Sequence, residues 1–363
     1  MDFPECISFT ITSACNLRCR MCGQWSRKGY FRTGAYSPVQ PMQLEDWKKL
    51  VDEIAANNIS SVLLRGGEPF LFPGIIGLLE YINSKGIFTS IDTNGTMLKK
   101  YAADLVRIGK IHITISVDGP EEIHDKTRGV KGCFKTVKEG ADLLARLENE
   151  SDNKISRSIC FTISPWSVRG LGQMPDVARA MSINTLVIVP FYYVPEAEGK
   201  KYEKELTDNF DCRAFSWRGF HHETSGIDFN EFREQLKIYR SKLDGIYNYP
   251  YMALTEDEYR KWFGDANTPV GTLHCLNIEK LIDIQPDGSA NSCVDFPDYS
   301  FGSVRESNIR DLWNNKRATK FREFRRKNPF AVCYRCGAKY MSVVMSRDTT
   351  DTLPEPSSGN SDK

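Results

Sequence analysis

The stretch at residues 6–25, CISFTITSACNLRCRMCGQW, decides the fold and raises the first chemical question. Its first seven residues predict a β-strand, because they are apolar or β-branched in alternation. Cys15, Cys19 and Cys22 then follow as C-x3-C-x2-C, and three thiols cannot pair off among themselves. A structural zinc site needs four ligands, and no histidine lies within the next eighty residues. An iron–sulfur cube held by only three thiolates would keep one iron open to a non-protein ligand. Buried or incidental cysteines are the alternative.

Composition places the chain among ordinary globular proteins. It has 363 residues, of which 40% are hydrophobic and 26% are charged, with a net charge of +1. This balance gives no reason to expect a nucleic-acid partner, and no apolar run approaches the ~20 residues of a membrane span. The start, MDFPECISFT, lacks a secretion signal, so we expect a cytoplasmic protein with reduced thiols. The eleven cysteines are then interpreted as metal ligands or core residues.

Strand and helix patterns alternate through about the first 190 residues. After the first strand come SVLLRGGEP, IFTSIDTNG, IHITISVDG, SICFTIS and TLVIVP, with helix candidates between them. Six strands joined by helices predict a parallel sheet. Cys15, Gly66, Asn94 and Ser116 stand at carboxyl ends of strands, where α/β barrels build their sites. No G-x-G-x-x-G follows a strand, which favours an open or partial (β/α) barrel over a nucleotide-binding doubly wound sheet.

Beyond the barrel, predicted at 1–192, the chain divides into three parts. Residues 193–272 form an aromatic-rich connecting region that packs mainly as core and contributes a minority of its side chains to a substrate site. Residues 273–342 predict a small α+β module with a hairpin and a basic helix, NIRDLWNNKRATKFREFRRK. The apolar spacing of that helix favours packing on a domain over nucleic-acid or membrane binding. Residues 343–363 are polar and are expected to be disordered.

The module contains the last four cysteines. Cys275 and Cys293 lie on either side of Gly288, and Cys333-x-x-Cys336 completes the set. Four thiolates at one site fit either structural zinc or a second iron–sulfur cluster, and the spacing does not separate these two.

The first cysteine set resembles that of the radical S-adenosylmethionine (SAM) superfamily, whose members carry C-x3-C-x2-C after the first strand of a partial (β/α)6 barrel. The resemblance implies that Cys15, Cys19 and Cys22 hold a [4Fe-4S] cluster whose open iron binds SAM. Met21 stands where the family has an aromatic residue. It keeps an apolar contact for the adenine but loses ring stacking.

The turn RGGEP at the end of the second strand candidate extends the likeness. In the superfamily a Gly-Gly-Glu-Pro turn meets the methionine amino group of SAM. Gly66, Gly67, Glu68 and Pro69 are therefore expected at SAM, with Glu68 as the acid. Glycines suit such a turn, because without a β-carbon their backbone approaches a ligand closely.

Two later runs, DTNGT and SVDGPEEIHDKTRG, also resemble members that carry extra clusters. The likeness places Ser116 and Asp118 near the ribose and carboxylate of SAM. It makes Arg128 the partner of that carboxylate, a contact suited to a guanidinium, and Asn94 a further polar contact. His124 is interpreted as part of a helix cap beside the barrel mouth.

The second cysteine set looks like the SPASM/twitch extension of radical SAM enzymes, and GSVRESNIRDLWNN resembles its linker. Full SPASM domains carry further cysteines and two auxiliary clusters. No cysteine follows Cys336 here, so the shorter twitch form with one auxiliary [4Fe-4S] cluster is the better match. Four protein thiolates leave no open iron, so this cluster is expected to carry electrons.

The resemblance implies a radical SAM oxidoreductase. An external one-electron reductant such as flavodoxin or ferredoxin would drive cleavage of SAM to a 5′-deoxyadenosyl radical, which takes hydrogen from an unactivated C–H bond. If the auxiliary cluster accepts the next electron, the net result is a two-electron oxidation. His221, His222 and His274 match no motif, and we assign no catalytic base.

The substrate stays open at this point. Twitch-only members include a cyclitol dehydrogenase and a GTP-cyclising enzyme whose Gly-Gly tail this chain lacks. The chain starts at the first strand, without the N-terminal peptide-recognition domain of many peptide modifiers. We therefore expect a sugar-like or polyol-like small molecule, with modification of a ribosomal peptide or protein side chain as the alternative. A non-catalytic iron–sulfur or zinc protein that transfers electrons is the hypothesis of another class, and it leaves the Gly-Gly-Glu turn unexplained.

Overall fold

The computed structural model describes residues 3–38, 40–252 and 254–340, and the predicted tail at 343–363 lies outside them. The strands in the described residues are β1 (Cys6–Thr12), β2 (Ser61–Gly66), β3 (Phe88–Thr93), β4 (Ile111–Ser116), β5 (Ser156–Ile163), β6 (Thr185–Pro190), β7 (Tyr247–Tyr249), β8 (Leu281–Ile284), β9 (Ser289–Asn291) and β10 (Gly302–Ser303). The helices are α1 (Leu44–Ala56), α2 (Ile75–Ser84), α3 (Leu98–Ile108), α4 (Glu121–Arg128), α5 (Cys133–Asn149), α6 (Met174–Ala180), α7 (Glu196–Phe210), α8 (Phe229–Ser241), α9 (Glu256–Gly264), α10 (Leu276–Lys280), α11 (Ile309–Asn314) and α12 (Lys316–Lys327).

All of these strands belong to one sheet, in the order β10-β9-β8-β1-β2-β3-β4-β5-β6-β7. Every neighbouring pair from β8 to β7 is parallel, and β9 and β10 add short antiparallel pairs. Parallel neighbours need crossover connections, which the helices supply. The prediction of an α/β fold with a partial barrel is confirmed, and β1 and β6 have the predicted limits. Within the described residues β7 and β10 form the two edges, so the barrel is open.

The core lies between the sheet and the helices that cover it. Helix α1 buries one face, and its Trp47 ring lies 4.8 Å from the ring of Phe9 on β1. Removing a buried tryptophan side chain costs about 3–5 kcal/mol, so this contact fixes α1 on the first strand. The packing of α1 on β1 therefore fixes β1 immediately before the first cysteine set.

The C-terminal module continues the barrel sheet. Its first strand, β8, runs parallel to β1 from Cys6 opposite Leu281 to Phe9 opposite Ile284. The predicted hairpin follows, and Gly288 in its turn has a φ of +89°, which favours glycine. This pairing places the second cysteine set beside the first strand of the barrel.

A second, aromatic core connects the module with the middle of the chain. Tyr202 and Phe210 of α7 pack there with Trp217, Phe321 and Phe330, and the four cysteines of the module adjoin the same cluster. Most of the aromatic residues of the connecting region are therefore structural. Within the described residues no helix has both the length and the apolar character that spanning a membrane requires.

Two local predictions differ from the structure. The basic run that predicts one helix forms α11 and α12, because Asn315 takes an extended conformation and its side chain accepts a 2.8 Å hydrogen bond from the Ala318 N–H. An Asn at that position caps the second helix. His124 lies within helix α4 rather than in a cap, while the carboxylate of its neighbour Asp125 accepts hydrogen bonds from the Gly132 and Phe134 N–H groups at the start of α5.

Candidate active site

The loop that follows β1 is fixed from two sides. The turn after β2 donates Gly67 N–H to Thr12 C=O at 2.8 Å and Glu68 N–H to Ala14 C=O at 2.7 Å. On the other side the loop donates Arg20 N–H to Thr127 C=O at 3.1 Å, at the end of α4. Backbone hydrogen bonds from both sides therefore hold the loop in place.

Three thiols converge on this loop. Cys19 is buried, and Cys15 and Cys22 are half-buried. Burial, together with the neighbouring Cys19, raises the pKa of Cys15 to about 11 and that of Cys22 to about 12. Backbone N–H groups of Leu17 and Trp25 donate to the sulfurs of Cys15 and Cys22 at 3.4 and 3.3 Å. Donors aimed at buried sulfurs suit thiolates, which a bound metal centre would stabilise.

The two glycines of the turn are required by the protein's own backbone. A β-carbon at Gly66 would lie 2.5 Å from Thr12 C=O oxygen, and one at Gly67 would lie 2.2 Å from that of Ala14. Gly66 also has a φ of +152°. These glycines allow the turn to approach the backbone of the cysteine loop closely, and the turn holds that loop in place.

Glu68 is fully buried and connects three elements. Its carboxylate accepts hydrogen bonds from Thr93 Oγ1 at 2.8 Å, Asn94 N–H at 2.7 Å and Phe70 N–H at 3.1 Å. Burial raises its pKa to about 7, while these donors oppose the rise. Pro69 starts the short helical turn that presents the Phe70 N–H. Glu68 therefore ties the turn after β2 to the end of β3.

Asn94 extends this connection to the cysteine loop. Its side-chain amide donates to Asn16 Oδ1 at 2.9 Å and lies 4.0 Å from the sulfur of Cys15. Its Oδ1 accepts from the Thr96 N–H at 3.0 Å. The predicted residues Glu68, Asn94 and Cys15 thus form one contiguous group.

Asp118 and Arg128 form a second group beside Cys19. Arg128 Nε lies 2.7 Å from Asp118 Oδ2 as an ion pair without hydrogen-bond alignment, so both atoms lack a hydrogen-bond partner although both are buried. Arg128 Nη1 donates to the sulfur of Cys19 at 3.7 Å. The Thr162 N–H donates to Asp118 Oδ1 at 3.1 Å. The structure thus pairs Arg128 with a carboxylate of the protein itself.

The ring of His124 is hydrogen-bonded to the backbone of Asp118. The Asp118 N–H donates to His124 Nδ1 at 3.1 Å, so Nδ1 is the acceptor and the proton is on Nε2. Burial, together with the charge of Arg128, lowers the pKa of His124 to about 3. His124 is therefore neutral at physiological pH.

The remaining predicted residues of the barrel lie apart from these hydrogen-bonded groups. Met21 is half-buried against the main core, next to Cys22 in the chain. Ser116 is the last residue of β4 and is half-buried. Among the histidines left unassigned, His221 pairs with Glu223 at 2.9 Å, and the ring of His222 packs against Trp166 and Phe191.

The four cysteines of the module line a single cavity. Burial raises the pKa of Cys275, Cys293 and Cys336, and each thiol is raised further by others of the set. In the described part of the chain, no three His, Cys, Asp or Glu side chains are arranged to hold a single metal ion. By their residue types alone, four thiols in one cavity fit either zinc or an iron–sulfur cluster.

Two cations that the sequence analysis did not single out line the same cavity. They are Arg325, whose Nη2 donates to the sulfur of Cys333 at 2.9 Å, and Lys339. Both residues are 3% exposed. The sequence analysis did not single out Arg325 because it lies in a run of basic residues. The helix was assigned from apolar residues such as its neighbour Phe324.

Between the two thiol sites lies a central polar cluster, formed by Arg65, Asp92, Asp283 and Asp295. Arg65 Nη2 donates to Asp295 Oδ1 at 3.2 Å, with side chains 13% and 18% exposed. Burial by itself would lower the pKa of Arg65, yet the three carboxyl groups raise it. Burial raises the pKa of Asp283 to about 6 and also raises that of Asp92, and Arg65 opposes both shifts.

Tyrosines cover this cluster. Tyr192 and Tyr251 are half-buried, and in each the pKa of the phenol is raised by burial and then by the charge of Asp295. The cluster was missed by sequence reasoning, although Arg65 directly precedes the Gly-Gly turn and Asp295 stands two residues after Cys293. Their positions beside recognised motifs are the signal that could have identified them.

An open parallel α/β barrel with a three-thiol loop after β1, a Gly-Gly-Glu-Pro turn after β2 and a four-thiol module defines a class of iron–sulfur enzyme. The model of the radical SAM superfamily matches residues 9–156, and that of the SPASM iron–sulfur cluster-binding domain matches residues 275–337. The chain is therefore a radical SAM enzyme with a C-terminal SPASM domain.

Curated relatives are similar over most of the chain. Fe-coproporphyrin III synthase of Methanosarcina barkeri is 25% identical over 86% of this chain and 74% of its own length. The subtilosin biosynthesis protein AlbA of Bacillus subtilis is 24% identical over 95% of this chain and 69% of its own length.

Solved structures share the fold. SuiB of Streptococcus suis superposes with a TM-score of 0.61 at 15% identity, over 93% of this chain and 73% of SuiB. The AdoMet-bound structure of anSMEcpe gives a TM-score of 0.59 at 16% identity, over 93% of this chain and 98% of that one.

The cofactors of this class are SAM, a [4Fe-4S] cluster at the radical SAM site and auxiliary iron–sulfur chemistry in the SPASM domain. The residues present fit these groups. At the first site three thiols lie beside Arg128, whose Nη1 donates to the sulfur of Cys19, and at the second four thiols line a cavity with Arg325. None of the eleven cysteines forms a disulfide, and Cys6, Cys133, Cys160 and Cys212 belong to neither set.

Proposed function

We propose that the protein oxidises a sugar-like or polyol-like small molecule by two electrons at the central polar cluster, with one auxiliary [4Fe-4S] cluster as electron acceptor. The observation that carries this proposal is the contact between Arg65, at the carboxyl end of β2, and Asp295, close to Cys293. A molecule bound there would touch both the radical-generating barrel and the module. We propose Cys15, Cys19 and Cys22 as ligands of the first cluster, and Cys275, Cys293, Cys333 and Cys336 as ligands of the second.

When bound, the first cluster with SAM would supply hydrogen-atom abstraction, and the second cluster, held by Cys275, Cys293, Cys333 and Cys336, would supply an acceptor for the electron that the substrate loses with a proton. The chain's own residues hold the reactants. Glu68 and Asn94 fix the loop that carries Cys15, and Arg128 with Asp118 fixes the side of Cys19. We propose that Met21, Gly66, Gly67, Pro69 and Ser116 complete the SAM site. Such fixed positions hold a C–H bond within reach and exclude stray donors.

The chemistry of the cluster supports a hydroxylated substrate. Three carboxyl groups surround one guanidinium, and the phenols of Tyr192 and Tyr251 lie beside Asp295. Carboxylates accept hydrogen bonds from hydroxyl groups, and aromatic faces pack on C–H surfaces. A polyphosphate would meet three acids there, so a polyanionic substrate is disfavoured.

Peptide modification is the second candidate, and edge strand β7 favours it. Tyr247 on this strand is 37% exposed, and β7 pairs only with β6 among the described residues. An extended peptide can add to such an edge. AlbA is named for bacteriocin biosynthesis, and one SuiB structure contains its precursor peptide SuiA.

An acidic one-electron reductant such as flavodoxin or ferredoxin suits the surface near the first site. Between Glu5 and Glu45 the chain has five basic residues and no acidic one, so this segment attracts an acidic partner by charge. A cytoplasmic location belongs to the same proposal, because a reducing compartment keeps thiols available as ligands.

The experiment uses anaerobically reconstituted protein with SAM and dithionite. Candidate polyols and sugars deuterated at carbon, and separately short peptides, are offered, and 5′-deoxyadenosine and its deuterium content are measured. Stimulation by a polyol, with deuterium transferred to 5′-deoxyadenosine and a dehydro product, supports the proposal. Deuterium transfer only from a peptide would replace it with the second candidate. SAM left intact under all conditions would support the non-catalytic hypothesis.

A further inference from the structure

We propose that Arg325, together with Lys339, sets the reduction potential of the cluster held by the second cysteine set. Both side chains line the cavity that contains the four thiols. The inference rests on the proposed function only in taking that site to hold an iron–sulfur cluster, and it is independent of the substrate.

Arg325 is in direct contact with a predicted ligand. Its Nη2 donates to the sulfur of Cys333 at 2.9 Å, and its Nη1 donates to the C=O of Asn328 at 2.6 Å. The ring of Phe330 lies 4.6 Å from the guanidinium carbon. These contacts hold the guanidinium of Arg325 next to the sulfur of Cys333, so its position is fixed although the side chain is long.

None of the ion pairs in the described part of the chain involves Arg325, whose charge acts on the half-buried carboxyl of Glu205 and opposes the rise of its pKa by burial. Its Nε is buried and has no hydrogen-bond acceptor. Burying a charge is costly unless opposite charge lies nearby. An anionic centre in the thiol cavity would reduce that cost, so the position of Arg325 favours negative charge there.

Lys339 approaches the set from another element, three residues after Cys336. Its Nζ donates to the C=O of Val270 at 3.2 Å, and it interacts electrostatically with Cys336, Cys333 and Cys275. Two cations from separate segments therefore face the same four thiols.

Their common effect follows from charge. A cube with four thiolates gains one negative charge on reduction, and buried cations stabilise the reduced form more than the oxidised form. Hydrogen bonds to the sulfurs act in the same direction, and both are known determinants of cluster potential. Arg325 and Lys339 thus make this cluster a better electron acceptor.

The test uses the full chain with Cys15, Cys19 and Cys22 replaced by Ala, so that only the second cluster contributes to the spectrum. Redox titration followed by electron paramagnetic resonance compares Arg325→Gln, Arg325→Lys and Lys339→Gln with this background. Arg326→Gln is the matched control, since the neighbouring Arg326 pairs with Glu279 at the surface.

At a fixed potential we expect Arg325→Gln to lower the ratio of reduced to oxidised cluster about tenfold, equal to ~59 mV for one electron. Arg325→Lys should recover most of the shift, Lys339→Gln should give a shift of the same sign, and Arg326→Gln should give none. An unchanged potential in Arg325→Gln, or an equal shift in Arg326→Gln, would overturn the inference. If Arg325→Gln fails to assemble the cluster, an unchanged potential in Lys339→Gln overturns it instead, and zinc in place of iron overturns it directly.

Discussion

The guanidinium of Arg65 donates to the carboxylate of Asp295 at 3.2 Å, although 230 positions separate the two residues in the chain. Arg65 belongs to β2, directly before the Gly-Gly turn, and Asp295 belongs to the loop that carries Cys293. The contact joins the barrel mouth to the module at the place where we propose that substrate binds. Stability and function should therefore both depend on it, in separable ways.

Replacing one partner of this pair should destabilise the protein. Asp295→Asn leaves the guanidinium of Arg65 with less compensation in a largely buried site, at a cost on the order of 3 kcal/mol. Chemical unfolding under anaerobic conditions measures the change. The double variant Arg65→Gln with Asp295→Asn should recover part of the stability, because Asp92 and Asp283 still lose their cation, but not substrate-dependent formation of 5′-deoxyadenosine. Recovery of both would show that the pair is structural only.

Glu68→Gln should weaken SAM binding through the turn. Its carboxylate accepts from Asn94 N–H on one oxygen and from Thr93 Oγ1 and Phe70 N–H on the other. An amide NH2 in place of one oxygen would face a donor, which costs about 1–3 kcal/mol. Equilibrium binding of SAM to the reconstituted protein should weaken at least severalfold. Unchanged affinity would mean that Glu68 neither touches SAM nor positions what does.

Arg128→Gln should alter the first cluster selectively. The change removes the cation beside the sulfur of Cys19 and leaves Asp118 without its ion-pair partner. We expect a lower potential for the first cluster and weaker SAM binding, while the second cluster keeps its spectrum. Arg128→Lys serves as the control because lysine retains the positive charge but lacks the planar, multiple-donor geometry of the guanidinium. A spectrum of the first cluster identical to wild type in Arg128→Gln would contradict the assignment.

Cys293→Ala should separate the two proposed sites. Loss of one of four ligands should reduce iron from about eight to about four atoms per chain. Reductive cleavage of SAM should persist, but oxidation of substrate should be lost. Cys212→Ser is the matched control, since Cys212 adjoins the same aromatic core and belongs to neither set. Full iron content and full turnover in Cys293→Ala would remove it from the ligands.

Stability should fall as pH decreases because of His124. Its folded pKa of about 3 lies below the ordinary value of 6.5, so the unfolded chain binds the proton more tightly. The contribution is complete above pH 6.5 and is lost progressively as the pH falls toward 3. Between pH 6.5 and 5 we expect a loss of about 2 kcal/mol in the free energy of unfolding. His124→Asn should abolish that part of the dependence, and an unchanged slope would show that His124 titrates normally.

The barrel could be predicted from the sequence because local patterns indicate its strands and the turns between them. Strands β1 to β6 are apolar runs bounded by turn residues, and the cysteine loop and Gly-Gly turn stand at their ends. The pairing of β8 with β1 could not be predicted, because it depends on contact between Cys6 and Leu281, which are distant in the chain. The short strand β7 gave no pattern long enough to separate it from the aromatic run around it.

The site was predictable where motifs are local and missed where charges meet across the fold. Glu68, Asn94, Asp118 and Arg128 follow strands in order, so their neighbourhood follows from topology. Asp295 could be recognised as part of the candidate site only from its contact with Arg65 in the folded chain. The break at Asn315 depends on a backbone conformation that amphipathic spacing does not encode.

The central claim is that the three-thiol loop holds a cluster with an open iron that binds SAM. The most direct measurement is the paramagnetic resonance spectrum of the reduced full chain before and after addition of SAM, in a Cys275→Ala and Cys293→Ala background that leaves the first site alone. The account predicts about four irons per chain, a spectrum that changes on addition of SAM, and release of 5′-deoxyadenosine. A chain that holds no cluster at that site, or a spectrum unaffected by SAM, would contradict it.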